Sequence, residues 1–212
     1  MLVITTGGTI GALPYKNPAI PPDLCSFPRD GHDLVCDALT TTFASINTRS
    51  VSLEPRDSKL LDDTYRKSIL NIIEAAPERA VLITHGTDTL LKTAQFLYQQ
   101  FCTNPALDKK VVILTGAMTP LANGAASDGH LNLAFSLDQL INPTPALAKI
   151  NIVLCDFDNQ GAWKPRLYPY TPGQYEKFYG PDSRYNRLHS GGVTSGNGGK
   201  SARFAKNNDG AP

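Results

Sequence analysis

Thr5, Thr6 and Thr9 surround a Gly7-Gly8 pair, and Thr84, Thr87 and Thr89 surround Gly86, with Asp88 beside them. Hydroxyl groups set among glycines can do acyl-transfer chemistry. A threonine hydroxyl is a weak nucleophile at neutral pH, so it needs a base. The tetrahedral intermediate in turn needs backbone N–H groups for its oxyanion. Glycine lets backbone approach closely enough to supply them. The same residues also admit a plain reading, with Thr6-Gly7-Gly8-Thr9 as a tight turn and Thr87-Asp88 as a helix cap. At this level both readings stand.

Other chemistries find weaker footing. Thr6-Gly7-Gly8-Thr9-Ile10-Gly11 follows an apolar run but lacks the G-x-G-x-x-G spacing, and a long loop rather than a helix follows it. Gly199-Lys200-Ser201 ends like a phosphate loop, yet Thr194 stands where the first glycine is required. His32, His85, His130 and His189 form no i,i+4 pair for a metal, and His85 alone sits at a strand end. Cys25, Cys36, Cys102 and Cys155 show no CxxC spacing and read as free thiols in a reducing compartment. No metal site is expected.

The elements that must position the threonines follow from periodicity. Leu2–Thr6, Arg49–Leu53, Ala80–Thr84, Val111–Thr115 and Ile150–Cys155 are short apolar runs that read as strands. Helical stripes lie between them, over about 32–45, after Asp62 or Asp63, from Leu90 to Phe101, and from Leu131 to Ile141. This alternation predicts an α/β fold, doubly wound, with a mostly parallel sheet and right-handed crossovers. A flavodoxin-like order, 2-1-3-4-5, would put the first and third strands at the topological switch, where ligands bind beyond the strands' carboxyl ends. Thr9 and Thr87 would then face one another across a single crevice.

Residues 11–31 hold five prolines and read as a long loop, expected to act as a lid that ligand orders. Residues 163–185, rich in Tyr, Pro and Arg, read as a hairpin or a covering loop. The domain is expected to span 1–188, with 164–188 an irregular covering segment. Residues 189–212, rich in glycine and basic, are expected to form a disordered tail.

Composition bounds the partners. The chain has 212 residues, 41% hydrophobic and 18% charged, as befits a globular domain with its own core. Net charge is +1, which calls for no polyanion partner, although residues 164–212 carry +5 and the remainder −4. No apolar stretch approaches the roughly 20 residues that span a membrane. Met1 leads into Leu2-Val3-Ile4 without a basic n-region, so no secretory signal is expected. Neither nucleic acid nor membrane is an expected partner, and the expected location is cytoplasmic.

Several motifs then occur in order at predicted strand ends. They are Thr6-Gly7-Gly8-Thr9-Ile10, His85-Gly86-Thr87-Asp88-Thr89, Gly116-Ala117-Met118 with Pro120, and Ser127-Asp128-Gly129 with Asn132-Leu133. Together they resemble the bacterial-type L-asparaginase family. The resemblance covers roughly residues 2–141, more loosely 150–180, and corresponds to that family's larger N-terminal domain. It implies hydrolysis of L-asparagine, and more weakly glutamine, to the acid and ammonia, with no metal or cofactor. By the same resemblance Thr9 matches the nucleophile, and Tyr15 is the candidate for the lid tyrosine that assists it. Thr87 and Asp88 match the second catalytic threonine and its neighbouring acid. Ser58, in Arg56-Asp57-Ser58, matches the serine that holds the substrate carboxylate. Gly86 and Ala117 match positions whose backbone lines the substrate.

Two departures follow. The family's lysine near Thr-Asp comes from a segment that here reads Gly161-Ala162-Trp163-Lys164-Pro165-Arg166. Lys164 is chosen for the ammonium, while ungapped register offers Arg166, which cannot accept a proton. The family's smaller C-terminal domain, whose acidic group binds the substrate amine in a neighbouring subunit, is expected to be missing. The sequence therefore supports two readings. One is a homo-oligomeric asparaginase-like amidohydrolase acting through a threonine acyl-enzyme. The other is a catalytically silent protein that binds small acids such as aspartate.

Overall fold

A computed structural model describes residues 1–12, 30–42, 46–157 and 162–173. The chain divides into two units, Met1–Pro172 and Gly173–Pro212, and the first contains every element described below. Tyr15, most of the 11–31 loop, residues 158–161 and the 189–212 segment lie outside the described residues.

Six strands form one sheet: β1 (Leu2–Gly7), β2 (Arg49–Arg56), β3 (Ala80–Thr84), β4 (Val111–Thr115), β5 (Ile150–Phe157) and β6 (Trp163–Pro169). Their order is β2-β1-β3-β4-β5-β6. The first five are parallel, and β6 runs antiparallel to β5. The expected 2-1-3-4-5 order is therefore present, with one further strand at its edge. Residues 163–169, read from sequence as the start of a hairpin or of a covering loop, pair with β5 as a hairpin strand. Trp163 to Arg166 alternate between half-buried and exposed, Leu167 to Pro169 are all half-buried, and Pro165 and Pro169 suit an edge strand, where a missing N–H costs no ladder bond.

The interior strands β1, β3 and β4 are near-continuous apolar runs because helices cover both faces of the sheet. On one face, Val3, Leu82, Ile113 and Val153 pack against Val35 and Leu39 of α1 (Asp30–Thr42) and Leu133 and Leu137 of α4 (Asp128–Ile141). The alternate side chains, among them Leu2, Ile4, Ile83 and Leu114, are fully buried on the opposite face. There α2 (Asp63–Ala75) and α3 (Leu90–Thr103) pack together. Asp62 caps α2 by accepting the Tyr65 N–H, and Ser127 caps α4 by accepting the Gly129 N–H. Among the described residues, Cys36, Cys102 and Cys155 are free thiols, no helix is long and apolar enough to cross a membrane, and no cluster of His, Cys, Asp or Glu could hold a metal ion.

Candidate active site

Short turns leave the carboxyl ends of four adjacent strands, and each carries at least one of the residues singled out from sequence. Thr9 follows β1, Ser58 follows β2, Thr87 and Asp88 follow β3, and Ala117 follows β4. Sheet order makes these loops neighbours. Close backbone packing then fixes them together.

Gly8 has φ 79° and ψ 176°, a conformation reserved almost entirely for glycine. A side-chain carbon there would lie 2.5 Å from both the Cα and the amide nitrogen of Gly86. The loop bearing Thr9 therefore rests directly on the loop bearing Thr87. Gly86 has equally little room on its other side, since a carbon on it would stand 2.7 Å from the Cβ and Oγ of Ser58. Ser58 is buried there, at 2% exposure. The Thr89 hydroxyl donates to the Ser58 carbonyl at 2.6 Å, which ties the turn after β2 to the turn after β3.

These contacts sort the threonines. Thr6 donates to the Thr84 carbonyl at 2.9 Å and links β1 to β3. Thr5 Oγ1 lies 2.8 Å from His32 Nδ1 on α1. Thr89 holds Ser58. Thr9 is half-buried at the start of its turn, and the methyl of Thr87 sits against Gly116 at the end of β4. The residue in the N-cap position of α3 is Thr89, whose side chain makes no capping bond.

His85 holds the Thr87 turn from beneath. It is fully buried, and burial lowers its pKa to about 4, so it is neutral at physiological pH. Arg66 Nε donates to Thr93 Oγ1 at 3.3 Å, and Thr93 Oγ1 lies 2.9 Å from His85 Nε2. The Thr93 proton therefore points to Nε2, and Nδ1 carries the hydrogen that is given to the Gly86 carbonyl at 2.7 Å. This chain of bonds sets the tautomer of the imidazole and the direction of the Gly86 peptide.

The loop after β4 is pinned from α4. Asp128 accepts from the N–H groups of Met118 (3.0 Å) and Thr119 (2.9 Å), and Ser127 donates to the Thr119 carbonyl at 2.7 Å. Asn132 donates to the Gly116 carbonyl at 2.9 Å. Burial pushes the Asp128 carboxyl up from its ordinary range, against the pull of the two N–H donors. The Ser127-Asp128-Gly129 and Asn132 motif is thus a clamp that presents the backbone of Ala117. Tyr65, at the same end of the sheet, donates to the Glu54 carbonyl at 2.7 Å.

Two further placements concern charge. Lys164 stands on β6, exposed, in register with Asp156, while Arg166 Nε lies 3.8 Å from Asp156 Oδ2. β6 is separated from β3 by β4 and β5, which sets the strands roughly 14 Å apart. Lys59 is a cation set against Asp88, with Nζ 3.3 Å from Asp88 Oδ2. Sequence reading passed over Lys59. Its one signal was adjacency to Ser58.

A parallel α/β sheet with glycine-joined, hydroxyl-bearing loops at its switch point defines a class of small-molecule site. The family model described as asparaginase, N-terminal, matches residues 1–160, and the chain belongs to that family. Its structure is similar to that of a probable cytoplasmic L-asparaginase from Campylobacter jejuni, at 23% identity and TM-score 0.54, over 74% of this chain and 45% of that one. It is also similar to L-asparaginase I from Vibrio cholerae O1 biovar eltor str. N16961, at 24% identity and TM-score 0.56, over 81% of this chain and 48% of that one. The chain spans less than half the length of either protein.

Proposed function

We propose that this protein is an asparaginase-like amidohydrolase that cleaves the side-chain amide of asparagine, or a close relative of it, through an acyl-enzyme on Thr9. The observation that carries this reading is the seating of Gly8 on Gly86, which sets the Thr9 and Thr87 turns side by side. Thr9 Oγ1 attacks the amide carbon, and the oxyanion is met by backbone N–H groups of the adjoining turns. The C–N bond breaks, the nitrogen takes up the hydroxyl proton, and ammonia leaves an ester on Thr9. Water oriented by Thr87 then adds to the ester and releases the acid, while Asp88 receives the ammonium of a substrate that carries one. Ser58 takes the substrate carboxylate, and the backbone at Gly86 and Ala117 lines the substrate. Tyr15, from outside the described residues, assists Thr9. This scheme draws on the loops after β1 to β4 and not on β6. The protein acts in the cytoplasm as a homo-oligomer.

The test is ammonia release from asparagine, glutamine and their relatives by the full chain, run beside calorimetric binding of aspartate. Turnover supports the proposal. Binding of aspartate without turnover replaces it with a silent small-acid binding protein.

A further inference from the structure

Lys59 changes the charge that the crevice offers a ligand. It lies in the turn Ser58–Leu60, whose first peptide is fixed by Asp57 Oδ1 accepting the Lys59 N–H at 2.9 Å. The turn is held to the β3 loop by the Thr89 bond to Ser58. The backbones of Lys59 and Asp88 are therefore anchored to one another, and their side chains meet at 3.3 Å. Asp57 is occupied in capping the turn. Arg56 pairs with Glu54 along β2. Among the described residues, the carboxylate of Asp88 and the ammonium of Lys59 face each other between these two turns. The Lys59 side chain is 68% exposed and that of Asp88 30%, and an ion pair in such a setting adds little to stability. It is free to be exchanged for a ligand's charges.

We infer that Lys59 is a specificity-determining residue, one that makes the site favour ω-amides of dicarboxylic acids without an α-ammonium, of the succinamate type, over α-amino acids such as asparagine. A zwitterion must bring its ammonium to an Asp88 already matched by Lys59. A plain monoanion instead finds Lys59 as a cation beside the Ser58 hydroxyl. This inference rests on the amidase reading for its substrate class, but the charge preference itself can be read from binding alone.

The experiment compares succinate with aspartate by calorimetry, and succinamate with asparagine by ammonia release, in the wild type, Lys59→Gln and Lys59→Arg. The exposed position makes all three folded proteins accessible. Wild type is expected to prefer succinate and succinamate. Lys59→Gln should move both ratios about tenfold toward the ammonium-bearing ligand, the effect of one charge at short range in a partly solvated site, and Lys59→Arg should restore the wild-type ratios. Ratios unmoved by Lys59→Gln, or moved equally by Lys59→Arg, overturn the inference. If acids bind but no amide is cleaved, the amidase reading fails while the binding ratio still decides the role of Lys59. If neither acid binds at millimolar concentration, both are overturned.

Discussion

Gly8 and Gly86 meet backbone to backbone, with no room for a side-chain carbon on Gly8. A Cβ on Gly8 would lie 2.5 Å from Gly86 Cα and 2.5 Å from Gly86 N. Replacing Gly8 by alanine adds that carbon and also forces a non-glycine residue to φ 79°. The expected cost is at least about 2 kcal/mol of stability, from strain and overpacking together. Thermal melts and ammonia release measure it. A Gly8→Ala protein with unchanged melting temperature would mean that the two loops do not touch in solution.

Thr9 and Thr87 should be separable from the threonines around them by function. Thr9→Val and Thr87→Val are each expected to lower turnover by roughly 100-fold or more while the melting temperature stays within a few degrees. Thr6→Val should do the reverse, since Thr6 spends its hydroxyl on the Thr84 carbonyl. Kinetics and melts on the three variants test the division, and near-normal turnover in either of the first two removes that residue from the mechanism.

Thr89→Val cuts the bond that joins the turns after β2 and β3. The Ser58 carbonyl then loses its 2.6 Å donor. It keeps the Leu61 N–H at 3.1 Å, so the loss is that of one hydrogen bond, about 0.5–1.5 kcal/mol. Because Ser58 and Lys59 are displaced with it, KM should rise more than kcat falls. A stability loss with both kinetic constants intact would show that the clamp does not position the site.

Stability should fall on acidification between about pH 6.5 and pH 4. Burial lowers the folded pKa of His85 to about 4, whereas an unfolded histidine titrates near 6.5. In that window the unfolded chain binds the extra proton, so unfolding gains as pH drops. The full contribution is present above pH 6.5 and is gone below pH 4. Its size is about 3 kcal/mol. Urea midpoints at pH 7 and pH 4.5 measure it, with His85→Gln as the reference. An equal pH dependence in that variant would place the acid sensitivity elsewhere.

Much of the fold was legible because strands and helices are written in local spacing. Val111-Val112-Ile113-Leu114-Thr115 can hardly be anything but a doubly covered strand, and Asp62 and Ser127 announce helices through bonds that span two or three residues. β6 was ambiguous for the matching reason. Trp163–Pro169 alternates only weakly and carries two prolines, so its strand character depends on the β5 edge beside it.

By itself, then, the sequence determined the elements, their succession and the family motifs at the strand ends, since each depends on residues within a few positions of one another. The tertiary structure decided which hydroxyls tie the strand-end turns to one another. Thr6 finds Thr84 across 78 residues, and Thr89 finds Ser58 across 31. Lys59 meets Asp88 because strand order folds the turn after β2 against the turn after β3. Such pairs carry no periodic signal, because the positions they join become neighbours only once the sheet has chosen its order.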